Sequence, residues 1–80
     1  MTDKRTGLLK FNQKSGRFRI VYENNQFDYD EITSGQVFFV KVLGVWKQVR
    51  CEYDSKKECY FGVGLELPLQ DGLEASLFSQ

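Results

Sequence analysis

The sequence predicts an all-β domain made of short antiparallel strands. Apolar and polar side chains alternate in several short segments, and clusters of turn-forming residues separate those segments. No window of about 11 residues keeps the period of about 3.6 that is typical of an amphipathic helix. The length of 80 residues fits one domain, and an aromatic content of 15% supplies large rings for its core.

The first two strands are predicted at residues 8–12 and 17–22, as a hairpin around the polar turn at residues 13–16. Alternation with a period of two assigns five apolar side chains to its buried face: Leu9, Phe11, Phe18, Ile20 and Tyr22. The opposite face then carries three basic side chains: Lys10, Arg17 and Arg19. The hairpin therefore has one apolar face and one basic face.

The middle of the chain contains the strongest strand signal. Residues 27–31 alternate aromatic and acidic side chains, which predicts a long loop or an irregular edge strand, and residues 36–42 are rich in valine and phenylalanine. A tight hairpin at Leu43 and Gly44 then leads into a strand at residues 46–53. Both positions of a two-residue turn need positive φ, which disfavours leucine, so a loop of about three to five residues is an equal alternative.

The last third of the chain completes the predicted sheet. Strands are expected at residues 59–63 and 73–77, with a turn at residues 70–72 and Pro68 at a sheet edge or a strand start. Closing a small sheet removes its exposed edges. Five or six short, strongly bent strands therefore predict a small SH3-like barrel of antiparallel hairpins over residues 7–77.

Charge is balanced overall but unevenly distributed. The chain has 11 basic and 11 acidic residues and a net charge of zero, so nothing global indicates nucleic acid or a membrane as a partner. Residues 1–19, however, hold six of the basic side chains and only one acidic side chain. Basic charge is therefore concentrated around the first hairpin.

The ends of the domain, residues 1–6 and 78–80, are predicted to be flexible. The first ten residues are polar and no apolar run reaches the length of about 20 residues that spans a bilayer, which predicts a cytoplasmic protein without a signal peptide or membrane segment. Cysteines in that compartment are reduced. Cys51 and Cys59 flank a turn near Ser55 and are expected opposite each other, as two small apolar residues or, alternatively, as a cross-strand disulfide.

Catalytic residue types are scarce, and we predict no enzyme activity, cofactor, metal site or small-molecule substrate. The chain has no histidine, so neither cysteine has an imidazole to activate it. Asp28, Asp30 and Glu31 are clustered but lack the spacing of a calcium-binding loop. These three carboxylates are interpreted as a solvated loop.

The basic face of the first hairpin is the best candidate for nucleic-acid binding, because phosphate recognition needs such a cluster. Its residues are Lys10, Arg17 and Arg19. Single-strand binding also needs exposed rings beside the cations. The rings of this hairpin are assigned to the core face, so an ordinary solvated charged face is the favoured interpretation.

Several short motifs resemble a known family of proteins. They are residues 7–12, Ser15-Gly16-Arg17-Phe18, Ser34-Gly35, Gly44-x-Trp46, Arg50-x-Glu52-Tyr53-Asp54 and Tyr60-Phe61. Over residues 7–77 the chain resembles an uncharacterised set of short bacterial proteins, a domain of unknown function found on Gram-positive chromosomes and mobile elements. The resemblance implies a small β-barrel and a mobile-element or phage origin, with no catalytic residues to transfer.

The chain departs from that family at three apolar positions where the family tends to be polar: Phe39, Leu43 and Val45. Alternation places Phe39 outside the barrel and the turn exposes the other two, although packing of Phe39 beneath residues 27–31 is an equal alternative. An exposed apolar patch often marks a partner surface. Our first hypothesis is therefore a non-enzymatic protein-binding module, which dimerises or binds a host protein through Phe39, Leu43, Val45 and Trp46.

Nucleic-acid binding by Lys10, Arg17 and Arg19 is the alternative function. A third interpretation is an aromatic cage of Trp46, Tyr53 and Tyr60, of the kind that binds methylated lysine or proline-rich peptides. Alternation weakens it, because Trp46 and Tyr53 fall on opposite faces of their strand.

Overall fold

The protein is an antiparallel sheet of eight strands in the computed structural model, which describes residues 5–23, 25–64 and 67–80. The strands along the chain are β1 (Gly7–Asn12), β2 (Arg17–Val21), β3 (Tyr29–Glu31), β4 (Val37–Val42), β5 (Val45–Asp54), β6 (Cys59–Val63), β7 (Leu67–Pro68) and β8 (Glu74–Ser76). Their order in the sheet is β3-β2-β1-β8-β4-β5-β6-β7. The all-β prediction is confirmed. The part of the chain that the structure describes contains no helix capable of crossing a bilayer.

The last strand joins two sequential meanders. Strands β1–β3 form one meander and β4–β7 the other, and β8 lies between them, with Ala75 opposite both Gly7 and Val40. The edge strands β3 and β7 do not pair with each other, so the sheet is not closed into a barrel. The count of five or six strands was too low because β3 and β7 have only three and two residues respectively.

One face of the sheet curves around the hydrophobic core. Its members are buried apolar side chains from both meanders: Leu9, Phe18, Ile20, Tyr22, Ile32, Phe38, Val40, Val49, Cys51, Leu69 and Ala75. The rings of Phe18 on β2 and Tyr60 on β6 meet edge to face with centroids 6.3 Å apart. This contact brings the two meanders together across the core.

The predicted faces of the first hairpin are correct except at two positions. Phe11 was assigned to the core but is 43% exposed, because it lies near the end of β1 beside the hairpin turn, although its ring meets that of Phe18 edge to face. Alternation places Val21 on the solvent face with Arg17 and Arg19, but it is buried, since it lies between Leu8 of β1 and Tyr29 of β3. Alternation along a strand predicts the face to which each side chain points, but the neighbouring strands decide how far that side chain is buried.

The β4–β5 hairpin turns in two residues. Leu43 and Gly44 have φ values of 52° and 79°, the left-handed conformations that a two-residue turn requires. The tight-turn alternative is therefore confirmed, with leucine in a position that favours asparagine or glycine. Val42 and Val45 pair directly across this turn, and that register sets the faces of both strands.

Both ends of the described chain are bound to the sheet. The Ser76 hydroxyl donates a hydrogen bond to the backbone oxygen of Arg5 and accepts bonds from the Phe78 amide and the Gln80 side chain. Arg5 also stacks on the Tyr22 ring, 3.9 Å from its centroid. Arg5, Phe78 and Gln80 therefore contact the sheet through Ser76. Residues 1–4 lie outside the described part, and the flexibility of residues 1–6 and 78–80 stays a prediction.

Cys51 and Cys59 are not opposite each other, contrary to the prediction. The turn between β5 and β6 occupies residues 55–58, so Cys51 pairs with Gly62 and Cys59 with Asp54. Both thiols are free. Burial raises the pKa of the Cys51 thiol to about 11, so it is neutral at pH 7 and serves as a small apolar core residue.

Candidate nucleic-acid interface

The three basic residues predicted on the first hairpin share one face of the sheet. Lys10 on β1 lies directly opposite Arg19 on β2, and Arg17 lies opposite Asn12, two residues further along. Directly opposed residues of antiparallel strands project to the same side. Lys10 and Arg17 are exposed, whereas Arg19 is half-buried.

The edge strand β3 adds an aromatic ring and a carboxylate to this basic face. Tyr29 lies opposite Val21, and Glu31 lies opposite Arg19. The guanidinium carbon of Arg19 lies 4.5 Å from the centroid of the Tyr29 ring, a cation–π contact that fixes the direction of the arginine. Glu31 forms an ion pair with Arg17, with 3.6 Å between the nitrogen and oxygen atoms.

A hydrogen-bonded turn places a second ring beside the cations. The Phe27 amide donates to the side-chain oxygen of Asn25, and the Asp28 amide donates to the Asn25 carbonyl. The Tyr22 amide donates in turn to the Asp28 carbonyl, which attaches the turn to the end of β2. The backbone is therefore held while the Phe27 ring remains 84% exposed.

These side chains line two adjoining grooves, which we call together the basic–aromatic groove. The larger groove, of about 640 Å³, includes Phe11, Lys14 and Tyr29 in its wall, and the other, of about 500 Å³, includes Lys10. Both share Arg19, Gln26 and Phe27. Exposed rings and cations therefore occur on one surface.

Sequence reasoning found the basic residues of this surface but missed its rings. The prediction considered only the rings of the hairpin itself and left out Tyr29 and Phe27, which are 42% and 84% exposed. The signal was the alternation of aromatic and acidic residues at 27–31. Once that segment is an edge strand beside β2, Tyr29 must face the same way as the arginines.

The acidic residues of this segment have separate structural partners instead of forming a solvated cluster. Asp28 binds Arg5 in an ion pair, and Asp30 accepts a hydrogen bond of 2.7 Å from the Tyr22 hydroxyl. Burial, followed by this bond to Asp30, raises the pKa of Tyr22 above its ordinary value. Within the described ranges no three acidic or cysteine side chains are placed to hold a metal ion.

The apolar hairpin patch is divided between the two faces of the sheet. Phe39 and Trp46 project to one face, since they pair with Gln48 and Lys41 respectively. Val45 projects to the other face, because the two-residue turn pairs it with Val42. The expected contiguous patch of Phe39, Leu43 and Val45 therefore does not form.

Burial within the hairpin patch is also uneven. Phe39 and Trp46 are half-buried, Val45 is half-exposed, and Leu43 at the tip of the turn is 98% exposed. Phe39 is thus less exposed than the protein-binding hypothesis assumed, although it lies outside the core, which its neighbour Phe38 enters. Leu43 is the only one of the four patch residues that stands fully in solvent.

The rings considered for an aromatic cage form a packing contact instead. Tyr53 and Tyr60 meet edge to face with their centroids 5.0 Å apart, and Tyr60 also contacts Phe18 of the core. Trp46 lies on the opposite face of β5, as alternation predicted. These three residues therefore do not share one site.

The fold and this surface together define a class of protein. The protein is a small, open antiparallel β domain with a basic face bordered by exposed rings. The chain belongs to the DUF5348 family, a domain of unknown function whose model matches residues 7–77. Comparisons with curated proteins and with solved structures found no match. The matched range spans all eight strands.

Proposed function

We propose that this domain binds nucleic acid through the basic face of its first hairpin, at Lys10, Arg17 and Arg19. The observation that carries the proposal is that Lys10 and Arg19 line the basic–aromatic groove together with exposed rings, while Arg17 lies on the same face of the hairpin. Phosphates bind clustered cations by releasing counterions, and bases stack on exposed rings.

The charges of this face are available to a ligand. Lys10 and Lys14 form no ion pair with any residue in the described ranges. Arg17 is bound to Glu31, but the pair is partly exposed, and such surface pairs contribute only about 0–1 kcal/mol. A phosphate group can therefore replace Glu31 as the partner of Arg17 at small cost.

The charge-neutralising double variant Lys10→Gln with Arg17→Gln tests this proposal. Each phosphate contact contributes about 0.7–0.9 to the slope of log affinity against log salt, so losing two should lower the slope by about 1.4–1.8. Fluorescence anisotropy with a labelled oligonucleotide, measured from low to moderate salt, gives affinity and slope together. We expect weaker binding and the shallower slope, because both side chains are exposed and their loss leaves the core intact.

The matched control is Lys56→Gln with Lys57→Gln. This variant makes the same change of charge in the exposed turn between β5 and β6, away from the basic face. Its affinity and salt slope should equal those of the wild type. Equal weakening by the two double variants would show a nonspecific charge effect and would contradict the proposal, as would a folded wild type that binds no oligonucleotide at low salt.

Protein binding through the β4–β5 turn is the second candidate function, in keeping with our first hypothesis. The observation that favours it is Leu43, whose apolar side chain is almost fully exposed while its backbone adopts φ of 52°. That conformation costs a leucine about 1–2 kcal/mol. Unfavourable backbone geometry at an exposed apolar side chain is a reason to suspect function there. Val45 and Trp46 flank the tip on opposite faces.

Leu43→Asn separates this candidate from nucleic-acid binding. Asparagine suits the turn, so the variant should be as stable as the wild type or more stable. Recovery of partners from a nuclease-treated lysate, together with sedimentation of the purified protein, should then show loss of the protein partner or of self-association. Unchanged association in both measurements would exclude the turn as an interface, and Lys47→Asn on the same hairpin is the control.

We also propose that the sheet is related to SH3-like barrels and that the protein acts in the bacterial cytoplasm. The first is supported by antiparallel meanders curved around one core and joined across it at Phe18 and Tyr60. The cytoplasmic location is supported by Cys51 and Cys59, whose thiols are both free. A Gram-positive mobile-element or phage origin rests on the sequence resemblance described above.

A further inference from the structure

The most exposed ring of the domain lies within the basic–aromatic groove. Phe27 is 84% exposed, although a phenylalanine side chain gains more than most from leaving water. Its exposure is imposed by the turn around Asn25, whose side-chain oxygen and carbonyl accept the amides of Phe27 and Asp28. A ring presented to solvent on a hydrogen-bonded turn is ready to stack with a planar ligand without further ordering of the chain.

A second stacking surface lies across the groove. The guanidinium plane of Arg19 packs on the Tyr29 ring, and that ring is still 42% exposed. Arginine planes and tyrosine rings are both surfaces on which unpaired bases stack. Because the contact with Tyr29 and the pairing of β2 with β3 fix both groups, this surface is preformed.

Cations line both grooves. Lys14 lines the larger groove, Lys10 lines the other, and Arg19 and Phe27 belong to both. A chain of nucleotides that follows the two grooves therefore meets a lysine in each of them and the Phe27 ring in both. Such a surface suits a flexible single strand, whose phosphates and base faces are both accessible.

A duplex cannot use the rings of this surface. Its bases are stacked on each other and expose only their edges in the grooves, so a duplex gains the phosphate contacts alone. A single strand gains the same contacts together with stacking, which is worth about 1–3 kcal/mol per base. The rings therefore favour single strands, with little dependence on sequence because every base has a flat face.

We propose that the basic–aromatic groove binds single-stranded nucleic acid, with bases stacked on Phe27 and on the Arg19–Tyr29 pair. Phosphates bind at Lys10 and Lys14. This inference rests on the proposed function and names its ligand class. It adds two aromatic residues, Phe27 and Tyr29, to the basic face that was found from the sequence.

The test measures Phe27→Ala against single-stranded and duplex probes. Labelled oligonucleotides of about 12 nucleotides, within the range of about 4–16 that one OB fold covers, are titrated as single-stranded DNA, as single-stranded RNA and as duplex DNA. The wild type should prefer single strands. Phe27→Ala should weaken single-strand binding about 5- to 150-fold, as expected for one lost stack, with duplex affinity and the salt slope unchanged.

Controls make the outcomes distinct. Phe78→Ala removes another exposed ring, at the C-terminal end of the described chain, and should change neither affinity. Equal wild-type affinity for single strands and duplex, or equal weakening of both by Phe27→Ala, overturns the stacking inference but leaves nucleic-acid binding by the cations intact. Absence of binding to every probe by the folded wild type overturns both proposals.

Discussion

Replacing Phe38 with alanine should lower the free energy of unfolding by about 3–5 kcal/mol. Phe38 is fully buried on β4, directly opposite Val49, and belongs to the hydrophobic core. A domain of this length is stabilised by only about 4–12 kcal/mol, at about 0.05–0.15 kcal/mol per residue. The variant should therefore lose much of its stability, as measured by urea denaturation followed by circular dichroism.

Phe39→Ala is the matched control, since it truncates the next phenylalanine of the same strand. Phe39 projects to the opposite face and is half-buried, so its loss should cost about 1–2 kcal/mol. The ratio of the two losses measures which face of β4 is the core. A larger loss for Phe39→Ala than for Phe38→Ala would contradict this assignment of the buried and exposed faces of the sheet. The location of the basic–aromatic groove would then be wrong as well.

Local patterns predicted most of the strands because their causes are local. Residues 59–63 were predicted with the bounds that β6 has in the structure, and the predicted first strand differs from β1 by one residue at its start. In both cases the strand borders a polar turn, at residues 55–58 and 13–16 respectively, and turn residues bound a strand wherever it lies in the fold. The tight turn at Leu43 was one of two alternatives, because leucine gives a weak turn signal.

The arrangement of the strands could not be read in the same way. Residues 73–77 were predicted to close the sheet, yet β8 lies at its centre, between β1 and β4. Backbone hydrogen bonds have the same chemistry in every strand, so a local pattern does not say which free edge a late strand will join. The predicted pairing of Cys51 with Cys59 across β5 and β6 was wrong for a related reason. The length of the turn sets the register, and Cys51 pairs with Gly62.

The candidate site could likewise be predicted only where its contacts are local. Lys10 and Arg19 belong to one hairpin with a clear turn, so their common face followed from alternation. The rings needed two non-local facts, which are the pairing of β3 with β2 and the turn around Asn25. The position of Phe27 and Tyr29 beside the basic face therefore could not be predicted without these contacts.

Gly7→Ala should be the most damaging of the small substitutions, lowering the free energy of unfolding by about 2–3 kcal/mol. A Cβ atom at Gly7 would lie only 2.4 Å from the carbonyl oxygen of Val21 and 2.8 Å from a methyl carbon of Ile20. The backbone of β1 cannot withdraw easily, because Gly7 also pairs with Ala75 of β8. Urea denaturation of the variant, beside the wild type, measures the loss.

Gly62→Ala is the comparison that isolates this contact. It adds the same methyl group at another strand glycine, where the nearest atom is the Cβ of Val49 at 3.2 Å, a side chain that can shift by a few tenths of an ångström. We expect it to lose clearly less stability than Gly7→Ala. If Gly7→Ala were instead as stable as the wild type, β1 would not approach β2 this closely. The β8–β1–β2 junction would then need a different register, and so would the face that carries Lys10 and Arg19.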